Sequence, residues 1–313
     1  MEFLYFLEGL RNPVCDAFFS LITMLGEETA FMAVAIIVFW CFSKSQGYFL
    51  LITGFIGTVI NQFLKMIFRV PRPWVKDSNF TIVKSAKEQA SGYSFPSGHT
   101  QSSVTLFGGV ARANKNKTLR IIMIVICVLV PLSRMYLGVH TPLDVVVSIA
   151  ISLILIFGGY KVFEMAKESD KVMYIIIGAL SALVIAFMIF VYAYPFPQEV
   201  YSEINIHNLE SARKNAYTML GCVAGLWVIY PVEKRFINFE VKAVWWAQIL
   251  KAVFGLAIVI LIKEVLRAPL DMMFNGHLIA RAIRYFLIVI TAGIVWPLTF
   301  KWFSRLGNKK RTV

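Results

Sequence analysis

Cysteine, histidine and acidic side chains are all scarce in this 313-residue chain, which has 4 Cys, 4 His and 18 Asp or Glu. The cysteines, Cys15, Cys41, Cys127 and Cys222, are scattered, and most fall within or beside apolar runs. Neither a disulfide framework nor a thiolate metal site is indicated. The loops lack the grouped Asp and Glu oxygens that a two-metal or Mg-dependent site needs, and no His-rich cluster replaces them. No metal or other cofactor is therefore expected. The N-terminus, MEFLYFLEGLRNP, carries Glu2 and Glu8 where a secretory signal would be positive, and no small-residue cleavage site follows. Residues 1–25 read as an interfacial amphipathic segment.

Charge of either sign is also low, at 16% of residues against 58% hydrophobic; an average soluble domain has about 25% and about 45–50%. Lipid must solvate much of such a chain. Apolar runs near the spanning length of about 20 residues are centred on residues 28–43, 48–65, 97–113, 119–137, 141–160, 172–193, 214–231, 243–262 and 283–302. The expected fold is all-α, a polytopic transmembrane bundle of about nine spans. Residues 1–170 would form the core and residues 171–313 additional helices packed on it as one structural unit.

A net charge of +13 raises the question of nucleic acid, but the basic residues sort by side of the membrane. With the N-terminus outside, about half of them fall in alternate loops on the inner face, at Lys44, residues 112–120, residues 161–171, residues 234–242 and a tail with Lys309, Lys310 and Arg311. The outer loops carry the acidic N-terminus and Glu199, Glu203 and Glu210. This is the positive-inside pattern, which accounts for the excess without a nucleic-acid partner. It predicts a multi-pass protein of a plasma (inner) membrane with a cytoplasmic C-terminus.

Three polar patches then emerge together on the outer face: KMIFRVPRP (65–73), PSGH (96–99) and SRMYLGVHTPLD (133–144). Each has a plain reading. Lys65, Arg69 and Arg72 can snorkel at an interface; Pro96 and Ser97 can start a helix; Thr141, Pro142 and Asp144 can cap one. Jointly they say more. Lys65, Arg72 and Arg134 match a dianionic phosphate, and Ser97 with the amides after it adds a helix N-terminus that favours anions. His140 and Asp144 are four apart at a helix start, so the carboxylate can reach one ring nitrogen while the other faces a phosphate. That is the arrangement of an activated nucleophile.

These patches resemble the signature of the type-2 phosphatidic acid phosphatase superfamily: Lys, six residues, Arg-Pro; then Pro-Ser-Gly-His; then Ser-Arg, five residues, His, three residues, Asp. Here Lys65 to Pro73, Pro96 to His99 and Ser133 to Asp144 satisfy it in order and without mismatch. The resemblance covers roughly residues 50 to 160. It implies a six-helix core and a metal-independent phosphatase in which His140 attacks phosphorus, Asp144 orients it, and His99 protonates the leaving oxygen before activating water. Lys65, Arg72, Ser97, Gly98 and Arg134 would hold the phosphoryl oxygens.

Bacterial members of that superfamily often stop after about six spans, whereas this chain continues for three more. The nine-span layout, with the site outside, is similar to glucose-6-phosphatase in topology alone. Downstream, LKMIFRVP (64–71) is echoed by IKEVLRAP (262–269), followed by Asn275, Gly276 and His277; Arg267 and His277 are carried as candidate headgroup contacts. Lys251, within the eighth window, can snorkel inward or face a polar cavity. The leading expectation is hydrolysis of a lipid phosphomonoester or diphosphate (polyprenyl diphosphate, phosphatidylglycerol phosphate or phosphatidic acid) through a phospho-histidine, with Trp74, Tyr93 and Phe95 lining a lipid entrance. A soluble sugar phosphate, or transfer of the phosphoryl group to an alcohol, would use the same chemistry. An anion transporter is disfavoured, because the polar residues gather at one face and not at the midplane.

Overall fold

The computed structural model describes residues 1–87, 90, 92–196 and 203–306. Glu199 and the tail residues Lys309, Lys310 and Arg311 lie outside the described residues. Helix forms over all nine apolar windows, and the described residues contain no strand, so the chain is an all-α membrane protein. Among the described residues six helical segments are long and apolar enough to cross a bilayer: Lys44–Lys76, Lys117–Tyr136, Pro142–Glu168, Asp170–Ala193, Asn205–Ile237 and Ile279–Arg305. Pro13–Met24 and Glu28–Phe42, bent by 51° at the break between them, bring the number to seven if they form one broken span. The third window forms only the 16-residue helix Gly98–Ala113. At 1.5 Å per residue that is about 24 Å, short of a hydrocarbon core of about 30 Å.

The chain divides into two compact units. The first comprises Met1–Val34, Phe49–Glu168 and Ala193–Ala212. It contains α1 (Glu2–Gly9), α2 (Pro13–Met24), the start of α3 (Glu28–Ile37), most of α4 (Lys44–Phe68), the short α5 (Pro73–Lys76) and α6 (Lys84–Lys87), then α7 (Gly98–Ala113), α8 (Lys117–Tyr136) and α9 (Pro142–Glu168). Helix α7 is central, packed on both α8 and α9, while α1 and α2 pack on α8. Side-chain caps set the starts. Asn12 accepts from the amides of Val14 and Cys15 ahead of α2, Ser97 accepts from Thr100 N ahead of α7, and Asn116 accepts from Leu119 N ahead of α8. On α9 the buried positions Asp144, Ser148, Ser152 and Ile156 recur every four residues. Ser152 Oγ donates to Gln101 O of α7 at 3.2 Å. Small hydroxyl side chains let these two helices approach and satisfy each other in the absence of water.

The second unit comprises Ala35–Tyr48, Ser169–Tyr192 and Arg213–Val313. It contains α10 (Asp170–Ala193), the greater part of α11 (Glu203–Val232), α12 (Trp245–Val265), α13 (Arg267–Met273), α14 (Ile279–Ile290) and α15 (Phe300–Arg305). Gly221 and Gly225 of α11 form a small-residue pair of the kind that lets membrane helices touch. A Cβ at Gly221 would lie 2.1 Å from Ala282 O of α14, and one at Gly225 would lie 2.5 Å from Val289 Cγ1. Around α12 the rings of Trp40, Trp296 and Phe300 form a cluster. Lys251 does not snorkel. It is buried, its Nζ donates to Val241 O at 3.1 Å, and it lies 4.5 Å from the centre of the Phe300 ring.

Candidate active site

All three polar patches lie in the first unit, and local backbone geometry explains how. Helix α8 carries Arg134 in its last turn and ends at Tyr136; two residues on, Gly138 has a φ of +83°, open to glycine and strained for other residues. The chain folds back there, so Arg134 O accepts from both Val139 N (3.1 Å) and His140 N (3.3 Å). Helix α9 then begins with a reciprocal cap: Thr141 N donates to Asp144 Oδ2 (2.8 Å) and Asp144 N donates to Thr141 Oγ1 (3.3 Å). The capping role considered for Asp144 is real, and the same carboxylate does more. Its Oδ2 accepts from Ser94 Oγ at 2.5 Å and lies 3.4 Å from His140 Nδ1, long for a hydrogen bond. The backbone of Ser97 donates to Asp144 O at 3.3 Å, tying the start of α7 to the start of α9.

The opposite nitrogen of the ring fixes the tautomer. Arg72 Nη1 sits 3.0 Å from His140 Nε2. A guanidinium can only donate, so Nε2 accepts and carries no proton, which leaves the proton on Nδ1 facing Asp144. Arg72 is itself held by Gly92 O (Nε, 3.0 Å) and Val139 O (Nη1, 2.9 Å). Lys65 Nζ donates to Tyr93 O at 2.5 Å. Arg134 Nη1 donates to Thr23 Oγ1 at 2.7 Å, while its Nε is buried without a partner, as is His99 Nε2. Burial first, then the charges of Arg72, Arg134 and Lys65, hold the His140 imidazole well below its ordinary range and therefore neutral. A buried neutral histidine among three cations, with orphaned polar atoms beside it, has the chemistry to receive an oxyanion and to attack it.

The PAP2 superfamily pattern matches residues 45–168, and the pattern described as PAP2 superfamily phosphatase, transmembrane extension, matches residues 217–310. Undecaprenyl-diphosphatase BcrC of Bacillus subtilis is 30% identical over 163 residues, which is 50% of this chain and 79% of that protein. The chain belongs to the PAP2 superfamily. A lipid A 4'-phosphatase of Porphyromonas gingivalis is 30% identical over 170 residues, 52% of this chain and 72% of that one. The crystal structure of Aquifex aeolicus LpxE is 27% identical, covers 51% of this chain and 93% of its own, and superposes with a TM-score of 0.46. As a PAP2 phosphatase, this chain is a multi-pass membrane hydrolase of phosphoric esters.

Within this PAP2 unit, Lys65, Arg72, Ser97, Gly98, His99, Arg134, His140 and Asp144 are gathered on α4, the 69–97 segment, α7 and the α8–α9 turn. The expected entrance residues divide. Trp74 lies under Arg72, 5.9 Å from ring centre to guanidinium carbon, and Phe95 stacks edge-on against Phe68 at 5.1 Å. Tyr93 is buried and its hydroxyl donates to Asn205 Oδ1 at 2.8 Å, so its contribution to the site is its carbonyl. Arg267 and His277 belong to the second unit. His277 Nδ1 accepts from Ile279 N (3.1 Å) and its ring meets Tyr217 edge-on, which makes it a local cap.

Sequence reasoning missed four supporting residues. Thr23 holds Arg134 and Ser94 holds Asp144. Asn61 Nδ2 donates to Pro96 O (3.4 Å) and to Gln101 Oε1 (3.1 Å), bracing the PSGH turn from α4. For Asn61 and Gln101 a signal existed, since an amide within an apolar run has to find a partner. For Thr23 none did, because a threonine in a helix can bond its own backbone.

Proposed function

We propose that this PAP2 phosphatase removes the terminal phosphate of a membrane lipid, a polyprenyl diphosphate or a lipid phosphomonoester, through a phospho-histidine formed on His140. The observation that carries the mechanism is the line Arg72 Nη1, His140 Nε2, His140 Nδ1, Asp144 Oδ2. It leaves Nε2 as a lone-pair nucleophile and Nδ1–H directed at a carboxylate. When a phosphoryl group enters, Arg72 passes from the imidazole to a phosphate oxygen, joined by Lys65, Arg134, the Ser97 side chain and the amides from Gly98 onward. The lone pair of Nε2 forms the N–P bond as the P–O bond to the leaving group breaks, and His99 gives that oxygen its proton. Water then attacks phosphorus, His99 takes its proton, and the N–P bond breaks to release inorganic phosphate. Asp144 stabilises the imidazolium that exists between the two steps. Charge neutralisation by Lys and Arg assigns no task to a metal.

A lipid substrate is supported by the lipid phosphates for which the relatives are named and by a site built among apolar helices, with Trp74 and Phe95 beside it. Basic inner loops support an extracytoplasmic site, in the plasma membrane, with the C-terminus inside. The test is phosphate release by detergent-purified protein in EDTA from a panel of lipid phosphates and glucose 6-phosphate. Turnover on lipids is expected, with an acid-labile phospho-enzyme on His140, and His140→Ala should fall by about 10⁴-fold or more. Preference for the sugar phosphate would replace the lipid reading. Transfer to an added alcohol in place of water would make the enzyme a phosphotransferase.

A further inference from the structure

The second unit carries a pair of arginines for which the hydrolytic chemistry has no use. Helix α14 opens IARAIRY, placing Arg281, Arg284 and Tyr285 at i, i+3 and i+4, on adjoining positions of one side. Both guanidiniums lie against the Tyr285 ring, 5.5 and 5.6 Å from its centre. Arg281 is oriented from α11, its Nε donating to Thr218 Oγ1 at 2.6 Å. The close α11–α14 crossing at Gly221 and Ala282, one turn beyond Thr218, makes that bond possible.

Arg284 is only 8% exposed, and its Nε is buried without a partner. Among the described residues no ion pair reaches either arginine. Two like charges beside one ring, one of them buried in an apolar segment, are unfavourable unless an anion joins them. Their depth indicates where that anion comes from. Arg281 and Arg284 stand about 3 and 8 Å along the axis from the first residue of α14, in a segment long and apolar enough to span the bilayer. Guanidiniums that near the end of a spanning helix lie at the level of lipid phosphates. The planar forks of two arginines suit the oxygens of one phosphate.

We propose that Arg281 and Arg284 form a second anion site, which takes the phosphate of an anionic bilayer lipid. Lipid is favoured over free phosphate because the groups that flank the arginines, Ile279, Ile283 and Phe286, are apolar. The reading does not rest on hydrolysis, and His140→Ala protein should bind the lipid as wild type does.

The experiment is thermal unfolding of the delipidated full-length protein in neutral detergent, titrated with phosphatidylglycerol, phosphatidylcholine or inorganic phosphate. Phosphatidylglycerol should raise Tm and phosphatidylcholine should not. The half-maximal lipid concentration should rise about tenfold or more in Arg284→Gln and in Arg281→Gln. Inorganic phosphate should act on wild type and both variants alike, through the motif residues. Equal phosphatidylglycerol titrations in wild type and variants would overturn the site, and Arg284-dependent protection by inorganic phosphate alone would overturn its assignment to lipid. Should Arg284→Gln fail to fold, the half-exposed Arg281→Gln reads the same question.

Discussion

Both units bury positive charge, and they do so differently. In the first, Lys65, Arg72 and Arg134 are held by the carbonyls of Tyr93, Gly92 and Val139 and by the Thr23 hydroxyl, with His140, His99 and Asp144 beside them. In the second, Lys251 has one carbonyl and an aromatic face, and the Arg284 guanidinium has an aromatic face alone. A buried cation therefore does not identify an active site in this fold. What separates the first set is the histidine whose free nitrogen points at an arginine and whose other nitrogen points at a carboxylate. Cations alone hold an anion or pin a loop; cations with that histidine can break a P–O bond.

The comparison can be tested at four strengths. Asp144→Asn should give the largest change, a loss of roughly 10³-fold in kcat with the protein still folded, because Nδ1–H loses its negative partner when the imidazolium forms. A change below tenfold would reduce Asp144 to its capping role. Thr23→Val should cost about tenfold, since a hydrogen bond to a charged group is worth roughly 1.5–3 kcal/mol. The loss should fall mainly in kcat, with recovery in Thr23→Ser, whereas a merely structural threonine would show equal damage in both variants.

Third comes pH. The neutral imidazole is the active form, and its folded pKa lies below the ordinary value of about 6.5. Activity should thus persist as pH falls through 6.5 and disappear only near the lower, folded value. At one unit below 6.5, kcat/KM should have dropped less than about twofold, whereas an unshifted histidine would lose about tenfold. The smallest effect belongs to Lys251→Met, which should leave kcat/KM within roughly twofold and Tm unchanged or raised, as replacement of a buried charge by an apolar side chain often does. Loss of turnover there would blur the distinction between the two units.

The site was legible because its chemistry is concentrated in three short stretches with fixed spacing, and because Arg, His and Asp beside apolar windows require an explanation. The helices were legible from apolar length. The nature of each crossing was less so: the window at 97–113, with its short apolar core and polar start, is filled by helix from Gly98 to Ala113, and at 16 residues that helix is short for a crossing. The π-helical turns at Val38–Phe42, Glu233–Ile237 and Thr291–Val295 have no composition that marks them. Thr23 escaped because its partner is 111 residues away and its own neighbourhood, FFSLITM, is unremarkably apolar. For Lys251 the sequence allows a stem reaching toward water, while the structure buries it against Val241 O and the Phe300 ring.

The turn at Gly138 has a further implication, for how such an enzyme can diverge. Since Arg134 O receives the amides of both Val139 and His140, the proposed anion ligand and the proposed nucleophile are mounted on one bracket of backbone. The identity of Met135, Tyr136 or Leu137 can drift with the helices packed against them, but an inserted or deleted residue would swing the imidazole away from Arg72. Substrate range is then free to change in the surrounding spans while the reaction itself is inherited as a length of chain.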